Sequence, residues 1–159
     1  MLLAVHNRVG VFLAKLMVLY LSGVLALVGL YILFAVGVSV FGDASLLWRE
    51  LLQVIPGVAL WSFTLYVLHF FLSLKFGLGI SLFWGVFECL QCIMYSNITL
   101  QGVWRYIPFA WSMNWLGDVF DGKLLQHGKE WLVIGGLQLG FLALTLVWVS
   151  RWEGRKSYE

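Results

Sequence analysis

The stretch LMVLYLSGVLALVGLYILFAVGVSVF, residues Leu16–Phe41, runs for 26 positions without a charged side chain. A helix needs about 20 apolar residues to cross the hydrocarbon core of a bilayer. Inside that core only a helix or a closed barrel satisfies its own backbone polar groups. Three further runs meet the length, at about 52–74, 78–101 and 131–150, and Glu88 is the one acid within them. The fold expected is an all-α integral membrane protein with four transmembrane helices in a single domain over 1–159. The first run is too long for a cleavable signal and reads as a retained span.

Composition agrees. Hydrophobic residues make up 62% of the chain and charged residues 11%, with a mean hydropathy of +0.92. A soluble domain carries about a quarter charged residues, so this chain could not clothe a water-facing surface. A net charge of +2 gives no reason to expect nucleic acid as a partner. Four spans place both termini on one side. With the N-terminus inside, that side holds Arg8, Lys15, Lys75, Arg151, Arg155 and Lys156, six of the ten basic residues. The opposite side holds Arg49, Arg105, Lys123 and Lys129, diluted by five acids. The bias favours cytoplasmic N- and C-termini.

The connections differ in character. Lys75-Phe76-Gly77 reads as a tight turn that makes the second and third spans an antiparallel hairpin, and Gly42-Asp43 marks a short outer loop. The segment 102–117 is not loop-like: Trp104, Tyr106, Pro108, Trp111 and Trp115 crowd it with aromatic rings. Such rings concentrate at membrane interfaces. One or two short helices dipping into the outer leaflet are expected there, or an interfacial segment lying flat.

Glu88 falls near mid-depth, where a carboxylate must face protein or water. Ser81, Glu88, Gln91, Cys92, Tyr95 and Thr99 share a helical face, and Ser62, Tyr66, His69 and Ser73 form a matching stripe on the preceding span. Folding the hairpin about Phe76 sets Glu88 level with residues 64–65. That makes Tyr66 its expected partner and puts His69 about a turn nearer the cytoplasm. The seam of Glu88, Tyr66, His69 and Gln91 reads either as the lining of a translocation path or as an interhelical hydrogen bond. Cys89 and Cys92 have CxxC spacing, compatible with redox or metal chemistry. With no other cysteine to relay electrons, two packing residues is the better reading. Gly136 and Gly140 form a GxxxG motif suited to close helix approach. His6 and His127 lie outside the spans and are expected to be solvated. No Walker, dinucleotide or HExxH pattern occurs, nor a GxSxG elbow, so no catalytic, cofactor or metal residue is assigned.

The N-terminal run Leu2-Leu3-Ala4-Val5-His6-Asn7-Arg8, leading to Leu13-Ala14-Lys15, resembles the coupling helix of ABC-2 type transporter permeases. Gly102-Val103-Trp104-Arg105-Tyr106-Ile107-Pro108-Phe109-Ala110-Trp111 resembles the aromatic segment before the last span of those proteins. The chain is most similar to the permease subunit of lantibiotic self-immunity exporters. Those permeases have six spans, so the resemblance implies that the four expected here correspond to their third to sixth and that the first two are lacking from this sequence. The resemblance implies that Leu2, Leu3, Val5, Asn7 and Arg8 dock on a cytoplasmic ABC ATPase, with residues 1–15 forming the coupling segment. It implies that ATP and magnesium bind that partner and not this chain. It further implies a second permease subunit, the same chain or a different one, an amphipathic peptide substrate, and the bacterial cytoplasmic membrane as location. Two other readings stand beside it: a stand-alone immunity or accessory protein that binds the peptide directly, and a four-helix thiol or quinone oxidoreductase using Cys89 and Cys92.

Overall fold

A computed structural model of the chain describes residues 7–41, 48–97 and 103–152. Among these the regular elements are all helical: α1 (Arg8–Phe41), α2 (Trp48–Phe76), α3 (Leu78–Asn97), a short 3₁₀ turn (Val103–Tyr106), α4 (Pro108–Phe120) and α5 (Gly128–Arg151). Three helices are long and apolar enough to cross a membrane: Arg8–Phe41, Glu50–Phe76 and Gly128–Arg151. In α3 the qualifying apolar part, Leu78–Cys92, is shorter. Leu25, Leu30, Leu33, Phe34 and Phe41 of α1 lie exposed, as do Leu132, Leu139 and Leu144 of α5. Side chains of that kind need lipid around them. The chain is a helical protein embedded in a membrane.

Local chemistry explains the helix ends. Asn7 caps α1, its Oδ1 accepting the Gly10 N–H at 2.8 Å, and the helix then passes Lys15 without a break. Gly77 alone joins α2 to α3. Its φ of 98° is open to glycine, its N–H closes on the Ser73 carbonyl at 3.1 Å, and its own carbonyl accepts the Ser81 N–H at 3.4 Å. α4 starts with Pro108, where a missing N–H costs nothing. It stops in a Schellman turn, with Gly122 at φ 68° and the Lys123 N–H on the Asp118 carbonyl at 2.8 Å.

α2 is the hub, with α1, α3, α4 and α5 all packed against it, while α1 also touches α5 and α3 touches α4. The Arg8 guanidinium donates to the Trp152 carbonyl at 2.7 Å, so α1 begins where α5 ends. Around this proximal end Phe12, Leu16, Val67 and Val149 form one buried cluster. At the distal end Trp61, Trp111, Trp131 and Ile134 form a second, flanked by Trp104 and Trp115. Gly136 and Gly140 have open space where a Cβ would sit, so among the described residues the GxxxG motif joins no pair of helices. Gly23 behaves differently: a Cβ there would overlap the Tyr66 hydroxyl.

Candidate functional site

The hairpin of α2 and α3 brings part of the polar seam together. His69 Nε2 lies 2.9 Å from Glu88 Oε2, and His69 Nδ1 lies 3.1 Å from Ser81 Oγ. The partner of Glu88 is therefore His69 and not Tyr66. The reason is side-chain direction: Cβ atoms lean toward the N-terminus of their own helix. Glu88 on α3 leans back toward Gly77, and His69 on α2 leans away from it, so the two converge across the turn of rise that separates their backbones. Tyr66 rotates instead toward α1, stacking edge-on against Tyr20 at 5.5 Å and filling the space left by Gly23. Gln91 sits half-buried one turn beyond Glu88.

One arrangement of protons satisfies these contacts. Ser81 Oγ donates to the His69 carbonyl at 3.1 Å, so toward Nδ1 it can only accept, and Nδ1 carries a hydrogen. One proton is then left between Nε2 and Oε2. Whether it rests on the ring or on the carboxyl, the pair has no net charge. An isolated carboxylate inside a span would cost several kcal/mol; a hydrogen-bonded pair with no net charge lowers that cost. Glu88 is only 7% exposed. The polar atoms face one another, and His69 turns its Cε1 carbon toward Gly85.

Beside the seam, Cys89 is exposed and Cys92 half-buried, both as free thiols. Cys92 Sγ reaches the Phe109 carbonyl at 4.0 Å.

At the distal end the aromatic segment becomes the 3₁₀ turn and α4, ending three residues beyond the expected 102–117. Trp115 lies flat on the α2 backbone at Gly57, where a Cβ would overlap its indole. Its Nε1 donates to the Gln53 carbonyl at 3.0 Å, beside the ladder position that Pro56 leaves without a donor. Trp111 is buried and donates to the Arg105 carbonyl at 3.1 Å. Trp104 packs on Trp131 at 5.4 Å, Pro108 opens α4, and Tyr106 points outward, 72% exposed.

Polar contacts that the sequence did not assign to a site complete this end. Buried Asp118 takes His127 Nδ1 at 2.8 and 2.9 Å and the Trp131 indole N–H at 3.2 Å. His127 is thus an anchor between α4 and α5, not a solvated side chain; Asp118 and His127 bracket the Asp121-Gly122 turn, which was the available signal. Arg105 pairs with Glu130 at 3.0 Å. The exposed Lys123 ammonium is held above its ordinary range by its hydrogen bond to the Asp121 carboxylate. Gln138 donates to the Leu60 carbonyl at 3.0 Å, tying α5 to α2.

Among the expected coupling residues, Asn7 and Arg8 serve as helix cap and as tether to Trp152; Leu2, Leu3 and Val5 lie outside the described residues. Among the described residues no group of three His, Cys, Asp or Glu is placed to share a metal ion. No protein-family model matches the chain, and no curated protein or solved structure matches it.

Proposed function

We propose that this chain is the membrane-spanning permease subunit of an ABC exporter that removes an amphipathic, lantibiotic-like peptide from a bacterial cytoplasmic membrane. The observation that carries the reading is the element 103–120. It is a short helical insert between α3 and the last long helix, seated on α2 by Trp115 and on α5 by Asp118. It occupies the place where the resemblance to ABC-2 permeases expects a re-entrant aromatic segment. In this reading α3 is a fourth crossing: its 20 residues, at about 1.5 Å each, span roughly 30 Å. Both termini then face the cytoplasm, α4 lies in the outer leaflet, and the protein is multi-pass.

The motor is a separate cytoplasmic ATPase, paired with this chain and a second permease subunit. Force applied at residues 2–8 reaches α1 directly, because that helix is continuous from Arg8. Through the Arg8–Trp152 bond it also reaches the end of α5. The His69–Glu88 pair acts as an internal latch that keeps α2 and α3 together as one body while α1 and α5 move. The outer aromatic cap offers the amphipathic peptide a surface of matching character. Transport needs no cofactor on this chain and no nucleic acid.

Survival of producing cells against a lantibiotic-class peptide tests this. Deleting the gene should sensitise the cells, and replacing the Walker lysine of the cognate ATPase should sensitise them equally. Full protection with the ATPase inactivated would refute the exporter and leave a stand-alone immunity protein that binds the peptide directly.

A further inference from the structure

α1 packs on α2 and α5, and α3 on α2 and α4, so α1 and α3 flank α2 with no extensive packing on each other among the described residues. Along α2 lies a groove made of two cavities that share Leu19, one between α1 and α2 and the other reaching α3. The proximal one, about 510 Å³, starts at Lys15 and Phe70. The second, about 770 Å³, continues over His69 and along Val86 and Cys89 of α3.

The groove is largely hydrocarbon despite the polar residues on its walls, because the serine hydroxyls bond backbone carbonyls and the ring nitrogens of His69 bond other side chains. Ser22 Oγ donates to the Leu19 carbonyl, Ser62 Oγ to Ala59 and Ser81 Oγ to His69. Both ring nitrogens of His69 are engaged. A water-filled or ion-conducting path would need those atoms facing the groove. An acyl chain needs the opposite, and this is what the walls supply.

The mouth has the charge a lipid headgroup would meet. Lys15 is exposed and has no carboxylate partner among the described residues. The other charged side chains described at the proximal end, Arg8, Lys75 and Arg151, are also cations. The 34 residues of α1 extend about 51 Å, well beyond a core of roughly 30 Å, which sets Lys15 near the boundary where long cationic side chains reach headgroups.

We propose that this groove is a binding site for an anionic phospholipid, with one acyl chain lying between α1 and α3 and the phosphate held by Lys15. The proposal does not depend on the exporter reading, because it concerns the chain with no ATPase present. The tagged protein, reconstituted in phosphatidylcholine vesicles doped with spin-labelled phosphatidylglycerol or spin-labelled phosphatidylcholine, should immobilise the anionic lipid preferentially. Lys15→Gln, an exposed change that leaves packing intact, should lower that preference about fivefold, the worth of one cation near a membrane surface. Val86→Trp, filling the groove from its exposed wall, should reduce the immobilised fraction of both lipids. Equal retention of the two lipids by the unaltered protein would overturn the proposal, as would an unchanged preference in Lys15→Gln. Efficient Cys89–Cys89 cross-linking between copies would also overturn it, since a second copy would then fill the groove.

Discussion

Gly57→Ala probes the docking of α4 with a single methyl group. The added Cβ would overlap the Trp115 indole, a rigid ring that cannot yield by rotating one terminal bond. Displacing it breaks the hydrogen bond to the Gln53 carbonyl, worth about 1 kcal/mol net. It also disturbs two ring pairs, with Trp131 at 5.0 Å and Trp61 at 6.0 Å, each worth about 0.5–1.5 kcal/mol. Against a loss of roughly 2–4 kcal/mol stands the helix propensity gained by replacing glycine, about 1 kcal/mol. The net expectation is destabilisation by about 1–3 kcal/mol. Thermal unfolding in mild detergent, followed by near-ultraviolet circular dichroism of the tryptophan cluster, reads it. The decisive arm is the double variant: in a Trp115→Ala background nothing remains for the methyl group to strike, so Gly57→Ala becomes neutral or mildly stabilising. The same destabilisation in both backgrounds would refute the assignment of Gly57 as the seat of Trp115.

Glu88→Leu leaves His69 Nε2 without its partner and should cost about 1–3 kcal/mol in detergent unfolding, whereas Glu88→Gln, which can still bond that nitrogen, stays within about 1 kcal/mol; equal losses would contradict the neutral pair. Asp118→Ala strips the acceptor from both His127 and the buried Trp131 indole, so limited proteolysis should cut the 121–127 turn several times faster, and an unchanged cleavage rate would show that Asp118 does not anchor α4. Asn7→Ala removes the α1 cap and should cost about 0.5–2 kcal/mol, read as faster amide exchange at Gly10 and its neighbours.

Much of the architecture is legible in the sequence because lipid imposes simple rules. Charge-free runs give the long helices, Gly77 gives the hairpin, and the aromatic run announces the insert before α5. What was not legible depends on direction and docking. Helical register alone puts Glu88 beside Tyr66; only the opposed lean of the two side chains, with the space left by Gly23, sends Tyr66 to α1 and gives Glu88 to His69. His127 reads as a loop residue until the Schellman turn at Gly122 folds it back onto Asp118. The GxxxG motif of α5 is a sequence pattern whose glycines have open space beside them among the described residues. Gln138, inside that motif, hydrogen-bonds α5 to the α2 backbone.

The most direct test of the exporter account is purification of the tagged chain from its native membrane in mild detergent, with mass spectrometry of all co-purifying proteins. The account predicts a stoichiometric ATPase carrying a Walker motif, lost when the N-terminal segment Leu2–Arg8 is replaced by a Gly/Ser sequence. A chain that emerges alone at its 18.1 kDa mass, while still protecting cells from the peptide, would contradict it.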